Sequence, residues 1–475
     1  MLAVFAVHNA QARSIDIPFE DEPVLDSLSL APTSLLSGPG FSVDSRVEIR
    51  GYMAHFILDT PIGPIPAESV EILAERAQEM PALQALDRVS RSDAFASATA
   101  NRAMLTARTF ARVFMHPVDT LLEVPAGVAR YVGGLVSKYQ HQAQSVSDYA
   151  ARHLGTNGNP YPSDLGPMTA ARDTDSMRER KNGATRVAAE TRRELKRQIK
   201  YSSVKRDLAK RLGIDTYTRN PEIEERLDRL AWIGSSGDFI TNAAFSAIGG
   251  TAGTILSNTG QINTIVWSAD PDQLRDRIER RLGNHVSDPL LIRQFLRRGV
   301  FTPTQQIALA DALDTLQPQR GCEALLELAM TANSELESRF LINALRMLVA
   351  AVPTASGSLH TIGAGLVWQT KNGEVILPLP VDYLSWTQPF AAFADRAEFR
   401  DPPKSVLIGG QMTPAAEQGL RALGWKVSDR VRWPDAPVYA DVRRVSDPPL
   451  AKTVMFPLAA DRDHDGNRNR SSTQQ

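Results

Sequence analysis

The stretch Ser405–Val427, SVLIGGQMTPAAEQGLRALGWKV, decides how the C-terminal part of the chain is read. Ser405–Ile408 is a short apolar strand signal, and Gly409-Gly410 after it is a turn signal. Thr413 stands where an N-cap belongs, and Pro414 where a first helical residue needs no N–H. The helix runs to Leu423, Gly424 stops it, and Trp425-Lys426-Val427 opens another strand. Strand, helix and strand in so short a span make a β-α-β unit, which implies parallel strands.

Working upstream, Thr361–Thr370 (TIGAGLVWQT) and Glu374–Leu379 read as strands around Lys371-Asn372-Gly373. Asn-Gly between strands is a strong hairpin cue, and Gly363-Ala364-Gly365 falls inside the first strand on this reading. Residues 357–445 are therefore expected to form a hairpin plus the β-α-β unit, bounded by Pro353–Gly357. Residues 186–352 read as a helical bundle of about seven helices from their apolar spacing. Asn220-Pro221, Asp270-Pro271-Asp272-Gln273 and Thr302-Pro303-Thr304-Gln305 mark helix starts, the last two as capping boxes.

The N-terminal third is less regular. Val47–Ile49 and Tyr52–Leu58 read as strands joined near Arg50-Gly51, and a helix is expected from about Pro66 until Met80-Pro81 interrupts it. Residues 13–44 read as extended, 45–153 as a strand hairpin plus helices, and 446–475 as a disordered tail. Residues 154–185, with Gly155, Gly158, Pro160, Pro162, Gly166, Pro167 and Gly183, read as a linker. The fold class expected from all this is α+β but predominantly α-helical. A central bundle carries a small N-terminal strand-helix region and a small C-terminal α/β unit.

The charge balance bears on function. The 475 residues carry 53 Lys+Arg against 54 Asp+Glu, a net charge of −1, which argues against a uniformly basic nucleic-acid binder. That balance is a sum of unlike parts. Residues 172–219 hold 15 basic against seven acidic residues, with Arg192, Arg193, Lys196, Arg197 and Lys200 on a basic helical face. Few aromatics accompany it, so base stacking is poorly supported, and an unknown protein or an anionic surface is the expected partner. Directly downstream, Phe239–Ala269 contains no charged residue, but Ser, Thr, Asn and Gln make up 12 of its 31 positions. It reads as a buried helix pair, with conditional membrane contact as the alternative.

Leu2–Val7 is apolar and Ala10-Gln11-Ala12 has the small-x-small form of a signal-peptidase site. Residues 1–12 are read as the end of a signal peptide whose start lies upstream of Met1, so export to a bacterial periplasm is expected. Cys322 is the single cysteine, which excludes an intramolecular disulfide and a cysteine-based zinc site; its helical surroundings suggest a small buried hydrophobe.

No nucleophile elbow, zinc-protease motif, P-loop or dinucleotide fingerprint occurs. Ser202-Ser203-Val204-Lys205 has the Ser-x-x-Lys spacing of penicillin-recognising enzymes, but it sits in a highly charged helix without the companion motifs. Asp461, Asp463, Asp465 and Asn467, with Gly466, match half of a calcium loop that lacks the closing glutamate, a weak site; no other cofactor is expected. The ligand-binding candidates are Asp215, Tyr217 and Arg219 in one loop, Asp382, Tyr383 and Trp386 after the hairpin, and Gly409 and Gly410 as an anion-holding turn before a helix. A non-enzymatic exported binding or interaction protein is the leading expectation. The alternatives are a membrane-associating protein using residues 186–269 and a hydrolase with catalytic residues scattered in sequence.

Overall fold

The computed structural model describes residues 17–90, 201–234, 265–352 and 356–440. Among these, 48% of residues are helical and 20% lie in strands, arranged as twelve helices and three sheets. This corrects the expectation of a helix-dominated bundle: the fold is mixed α/β, with two substantial sheets. The strands missed by sequence reading are mostly two or three residues long, too short for an alternating pattern to declare itself.

The N-terminal sheet has six strands, β1 (Val24–Asp26), β2 (Ser37–Gly38), β3 (Phe41–Val43), β4 (Arg46–Arg50), β5 (Met53–Thr60) and β6 (Gly63–Ala67). Its order is β1-β4-β5-β3-β2, with β6 on β5, and every pairing is antiparallel. Three of these strands come from the segment read as extended. Strand β4, RVEIR, buries Val47 and Ile49 and turns its charged residues outward, the period of two that a one-sided sheet requires. Residues 63–67 form β6 where a strand break and a helix start were expected. Pro64 and Pro66 are tolerated because β6 pairs only with β5, and an edge strand has N–H positions to spare.

The β4–β5 turn is Gly51-Tyr52, with φ of 58° and 66°. Two left-handed residues match the twist of a tight hairpin, but a tyrosine there is strained by roughly 1–2 kcal/mol. Its partners, described below, hold it.

Helix α1 (Thr33–Leu36) is a single turn. Helix α2 (Val70–Ser90) begins where the Ser69 hydroxyl accepts the Ile72 N–H at 3.0 Å, and it passes straight through Pro81. Pro81 is exposed while Met80, Leu83 and Leu86 are buried, so core packing outweighs the lost helix hydrogen bond. The remaining helices up to the second sheet are α3 (201–212), α4 (Pro221–Gly234), α5 (265–268), α6 (Pro271–Leu282), α7 (Pro289–Leu296), α8 (Pro303–Leu316), α9 (Cys322–Met330) and α10 (Glu335–Ala351). The Thr302/Gln305 capping box is present with both bonds. The one expected at Asp270 is not, because that carboxylate is taken by Arg206 in α3. Cys322 is buried, as read from its helix.

The C-terminal sheet contains β7 (Gly357–Ile362), β8 (Gly365–Thr370), β9 (Val375–Leu379), β11 (Lys404–Ile408) and β13 (Lys426–Ser428), in the order β13-β11-β9-β8-β7. Strands β7, β8 and β9 are antiparallel neighbours, while β9, β11 and β13 run parallel. Helix α11 (Gln388–Ala394) lies in the first crossover and α12 (Pro414–Ala422) in the second. The β-α-β reading of Ser405–Val427 therefore holds, and the parallel set extends one strand further. The stretch TIGAGLVWQT is not one strand. It turns at Gly363-Ala364, with Gly363 at φ 61° in the first loop position of a two-residue hairpin. A short parallel pair, β10 (Tyr383–Leu384) with β12 (Gln411–Met412), carries the loops after β9 and β11.

The helices are not an independent bundle. Helix α10 lies on β8 and β9, and the segment before α9 pairs with the free edge of β7 through Gln319 N–H to Gly357 C=O and Leu359 N–H to Arg320 C=O. The buried apolar residues form one continuous core from Leu30 to Tyr439.

Candidate functional site

Open α/β sheets take ligands beyond the carboxyl ends of their parallel strands. Here those ends are Leu379 and Ile408, followed by residues 380–387 and 409–413, which contain five of the sequence candidates. The structure brings Asp382, Tyr383, Trp386, Gly409 and Gly410 together there.

Asp382 is 1% exposed. Its Oδ2 accepts the backbone N–H groups of Ala54 at 3.0 Å and Val70 at 3.1 Å, and its Oδ1 accepts the Tyr439 hydroxyl at 2.9 Å. The Val70 N–H is one of the donors a helix leaves unpaired at its start, so Asp382 caps α2 from across the molecule. The Asp382 and Tyr383 N–H groups both donate to the Tyr52 carbonyl, at 3.1 and 3.0 Å. The Tyr52 hydroxyl meets the Thr387 hydroxyl at 2.5 Å, and its ring packs on Phe390. These bonds fix the strained turn to the loop after β9. Burial pushes the Asp382 carboxyl up to about 7, against the pull of its three donors, and pushes the Tyr439 hydroxyl well above its ordinary range.

The acidic run Glu20-Asp21-Glu22 enters the same region. The Glu20 N–H donates to the Trp386 carbonyl at 2.9 Å; its Oε2 accepts the Trp386 N–H at 2.9 Å and the Thr413 hydroxyl at 2.6 Å. Thr413 is the N-cap of α12. Glu22 accepts the N–H groups of Gly51 at 2.9 Å and Tyr52 at 2.6 Å, and burial raises its carboxyl. Trp386 is buried against Gly419, where a Cβ would lie 2.4 Å from the indole.

Gly409 and Gly410 do not form the anion-holding turn expected of them. Their N–H groups donate to the carbonyls of Leu379 and Val381. They are glycines because of close approach: a Cβ on Gly410 would lie 2.1 Å from the Asp382 carbonyl oxygen. Backbone at that distance cannot give way, so Gly410→Ala is expected to cost about 2–3 kcal/mol in chemical denaturation. Gly373→Ala, in the β8–β9 turn with nothing within 4 Å of its Cβ but φ of 82°, is expected to cost only about 1 kcal/mol.

The other candidate loop, 213–220, serves a second polar cluster. Helix α2 presents Glu71, Glu75, Arg76 and Glu79, and α10 presents Glu335, Arg339 and Asn343. Arg76 reaches Glu335 at 2.9 Å and Glu79 at 3.3 Å. Arg339 reaches Glu335 at 2.8 Å and Glu71 at 3.4 Å, and also pairs with Glu75. Thr218 and Asn220 close the cluster by donating to Glu79. Burial drives the Glu79 carboxyl up to about 7, with Arg76 opposing. Glu335 is held below the ordinary carboxylate range: burial pushes it up, but Arg339 and Arg76 together outweigh that push. Asp215 accepts the Tyr217 N–H at 2.9 Å, and Arg219 donates to the Gly299 carbonyl. Asp215, Tyr217 and Arg219 are thus parts of an interhelix junction with internal partners. Sequence reading missed this cluster, although Glu71, Glu75 and Glu79 recur at four-residue steps among buried apolar positions.

Arg192, Arg193, Lys196, Arg197 and Lys200, the calcium candidates Asp461, Asp463, Asp465 and Asn467, and residues 239–264 lie outside the described residues. In the described part of the basic region, Lys205 pairs with Asp228 at 2.5 Å, so the Ser-x-x-Lys lysine is occupied by an acid. Among the described residues, no group of three or more His, Cys, Asp or Glu is placed to hold a metal ion, and no helix is long and apolar enough to cross a membrane. No protein-family model, curated protein or solved structure matches the chain.

Proposed function

We propose that the chain is an exported, non-enzymatic binding or interaction protein. The observation that supports this reading is how the groups at the carboxyl ends of the parallel strands are used. A general acid or base must reach a proton on its substrate. Asp382 has the acidity suited to that work, yet it is buried, and both its oxygens are engaged by Ala54, Val70 and Tyr439. What the region does hold is an acidic segment of the chain itself, bound by backbone and hydroxyl donors. That is the chemistry of peptide recognition rather than of bond cleavage.

Two measurements test the reading. Ester and peptide substrates should be turned over no faster by the wild type than by Asp382→Asn; turnover that disappears in the variant would favour the hydrolase reading. N-terminal sequencing of exported protein should find a chain starting at Arg13, whereas a mature chain that retains Met1 contradicts export.

A further inference from the structure

We propose that the surface formed by the Trp386 backbone, the Thr413 hydroxyl and the Gly51-Tyr52 turn is a binding site for an extended acidic peptide of a partner protein, and that residues 17–22 occupy it as a built-in competitor. The inference rests on the interaction reading above and names its ligand class.

The site reads two things at once. At Trp386 its backbone engages one incoming residue twice: the C=O accepts that residue's amide N–H, and the N–H donates to its side-chain carboxylate. The Thr413 hydroxyl adds a second donor to the same carboxylate oxygen, at the start of the nine-residue helix α12, whose dipole favours negative charge. Two residues along, the paired N–H groups of Gly51 and Tyr52 take a second carboxylate. The alternation is that of an extended strand: Glu20 and Glu22 face the protein, while Phe19 and Asp21 face solvent. The preferred ligand is therefore Glu-x-Glu in extended form. Among the described residues, no cation takes part in the contacts made by Glu20 or Glu22, so the selectivity comes from fixed N–H and O–H geometry.

The arm is suited to exchange. Its polar contacts are those of Glu20 and Glu22, Phe19 is 58% exposed, Ile17 packs against the core, and Pro23 separates it from β1. A tethered segment has an effective concentration on the order of 1 mM, so the arm outcompetes a free peptide until its own contacts are weakened.

The test uses the full chain carrying Glu20→Gln and Glu22→Gln, with a labelled synthetic peptide of the sequence Ser14–Pro23. The peptide should bind this variant saturably by fluorescence anisotropy, and the wild type at least about tenfold more weakly because its site is filled. A peptide with Gln at both glutamate positions should bind neither chain. If the variant is folded by circular dichroism and does not bind the acidic peptide, or binds the Gln peptide equally well, the proposal is overturned. Should the double variant fail to fold, hydrogen exchange on the wild type decides. Excess acidic peptide that alters exchange at the Trp386 and Tyr52 amides, where the Gln peptide does not, supports the proposal; no difference between the peptides overturns it. Arm exchange between two copies would appear as a dimer in the absence of peptide, and that outcome also overturns the assignment to a partner. Failure here leaves the interaction reading standing, whereas hydrolytic turnover dependent on Asp382 removes that reading and leaves peptide binding measurable.

Discussion

Arg339→Ala is expected to destabilise the protein by about 3–5 kcal/mol, the usual result of removing one partner from a buried charge network. Among the described residues, Arg339 is the one group that reaches Glu71, Glu75 and Glu335 together, and so it ties α2 to α10. Without it, Glu71 keeps only the more distant pull of Arg346, and Glu335 keeps Arg76 and Arg219. Arg339→Lys should recover only part of the loss, because a single ammonium lacks the planar fork that reaches several carboxylates. The readout that separates lost charge from lost packing is pH. Unpaired carboxylates have raised pKa values, so the deficit of Arg339→Ala should shrink from pH 8 to pH 5. A deficit that is constant across that range would mean packing alone was lost.

Asp382→Ala is expected to cost about 4 kcal/mol, since it leaves two backbone N–H groups and a tyrosine hydroxyl buried without an acceptor, at roughly 1–3 kcal/mol each. Asp382→Asn keeps one acceptor oxygen and should cost less. Its effect on pH dependence is more informative. The folded-state pKa of Asp382 lies at about 7, above the ordinary carboxylate value, so the fold favours the protonated acid. The stability it contributes is present at low pH and is lost as pH rises through about 7. Glu79, also raised to about 7, acts in the same direction. Each group loses up to about 1.4 kcal/mol per pH unit between its ordinary carboxylate value and about 7, and little further above that. His55 has the opposite sign. Burial lowers its pKa to about 4, so its contribution is present above the ordinary histidine value and is lost as pH falls from there toward 4. The wild type should therefore be more stable at pH 6.5 than at pH 8, and Asp382→Asn should flatten that slope. A wild type that gains stability from pH 6.5 to pH 8 would contradict these assignments.

What was legible in the sequence was local. Thr413-Pro414 and Gly424 bracket a helix between two apolar strands, and each residue acts on its immediate neighbours, so the β-α-β unit could be read directly. The Lys371-Asn372-Gly373 hairpin was legible for the same reason. Where local preference is overridden, the reading failed. Pro81 signals a helix end, but the buried residues around it carry the helix through. Pro64 and Pro66 signal a strand end, but the outer edge of a sheet accepts them. Asp382 was picked out as a polar residue after a strand, without any indication of what it binds. Its partners Ala54 and Val70 are 328 and 312 residues away, and they offer only backbone N–H groups, which no sequence pattern marks. Glu20 and Glu22 were visible as an acidic run and nothing more, because Glu22 is bound by backbone N–H groups, which carry no sequence signal, and the donors to Glu20 lie 366 and 393 residues away.

The central claim is that Asp382 is an architectural acceptor that fastens the N-terminal sheet and the start of α2 to the carboxyl ends of the parallel strands. Hydrogen exchange of the Ala54 and Val70 amides, compared between the wild type and Asp382→Ala, which removes the oxygen both amides share, tests it most directly. The account predicts that protection falls at these two amides together, well beyond any change at Phe56 or Leu73 nearby. Equal protection in the two proteins would show that Asp382 does not hold them, and the region beyond the strands would be open again as a site.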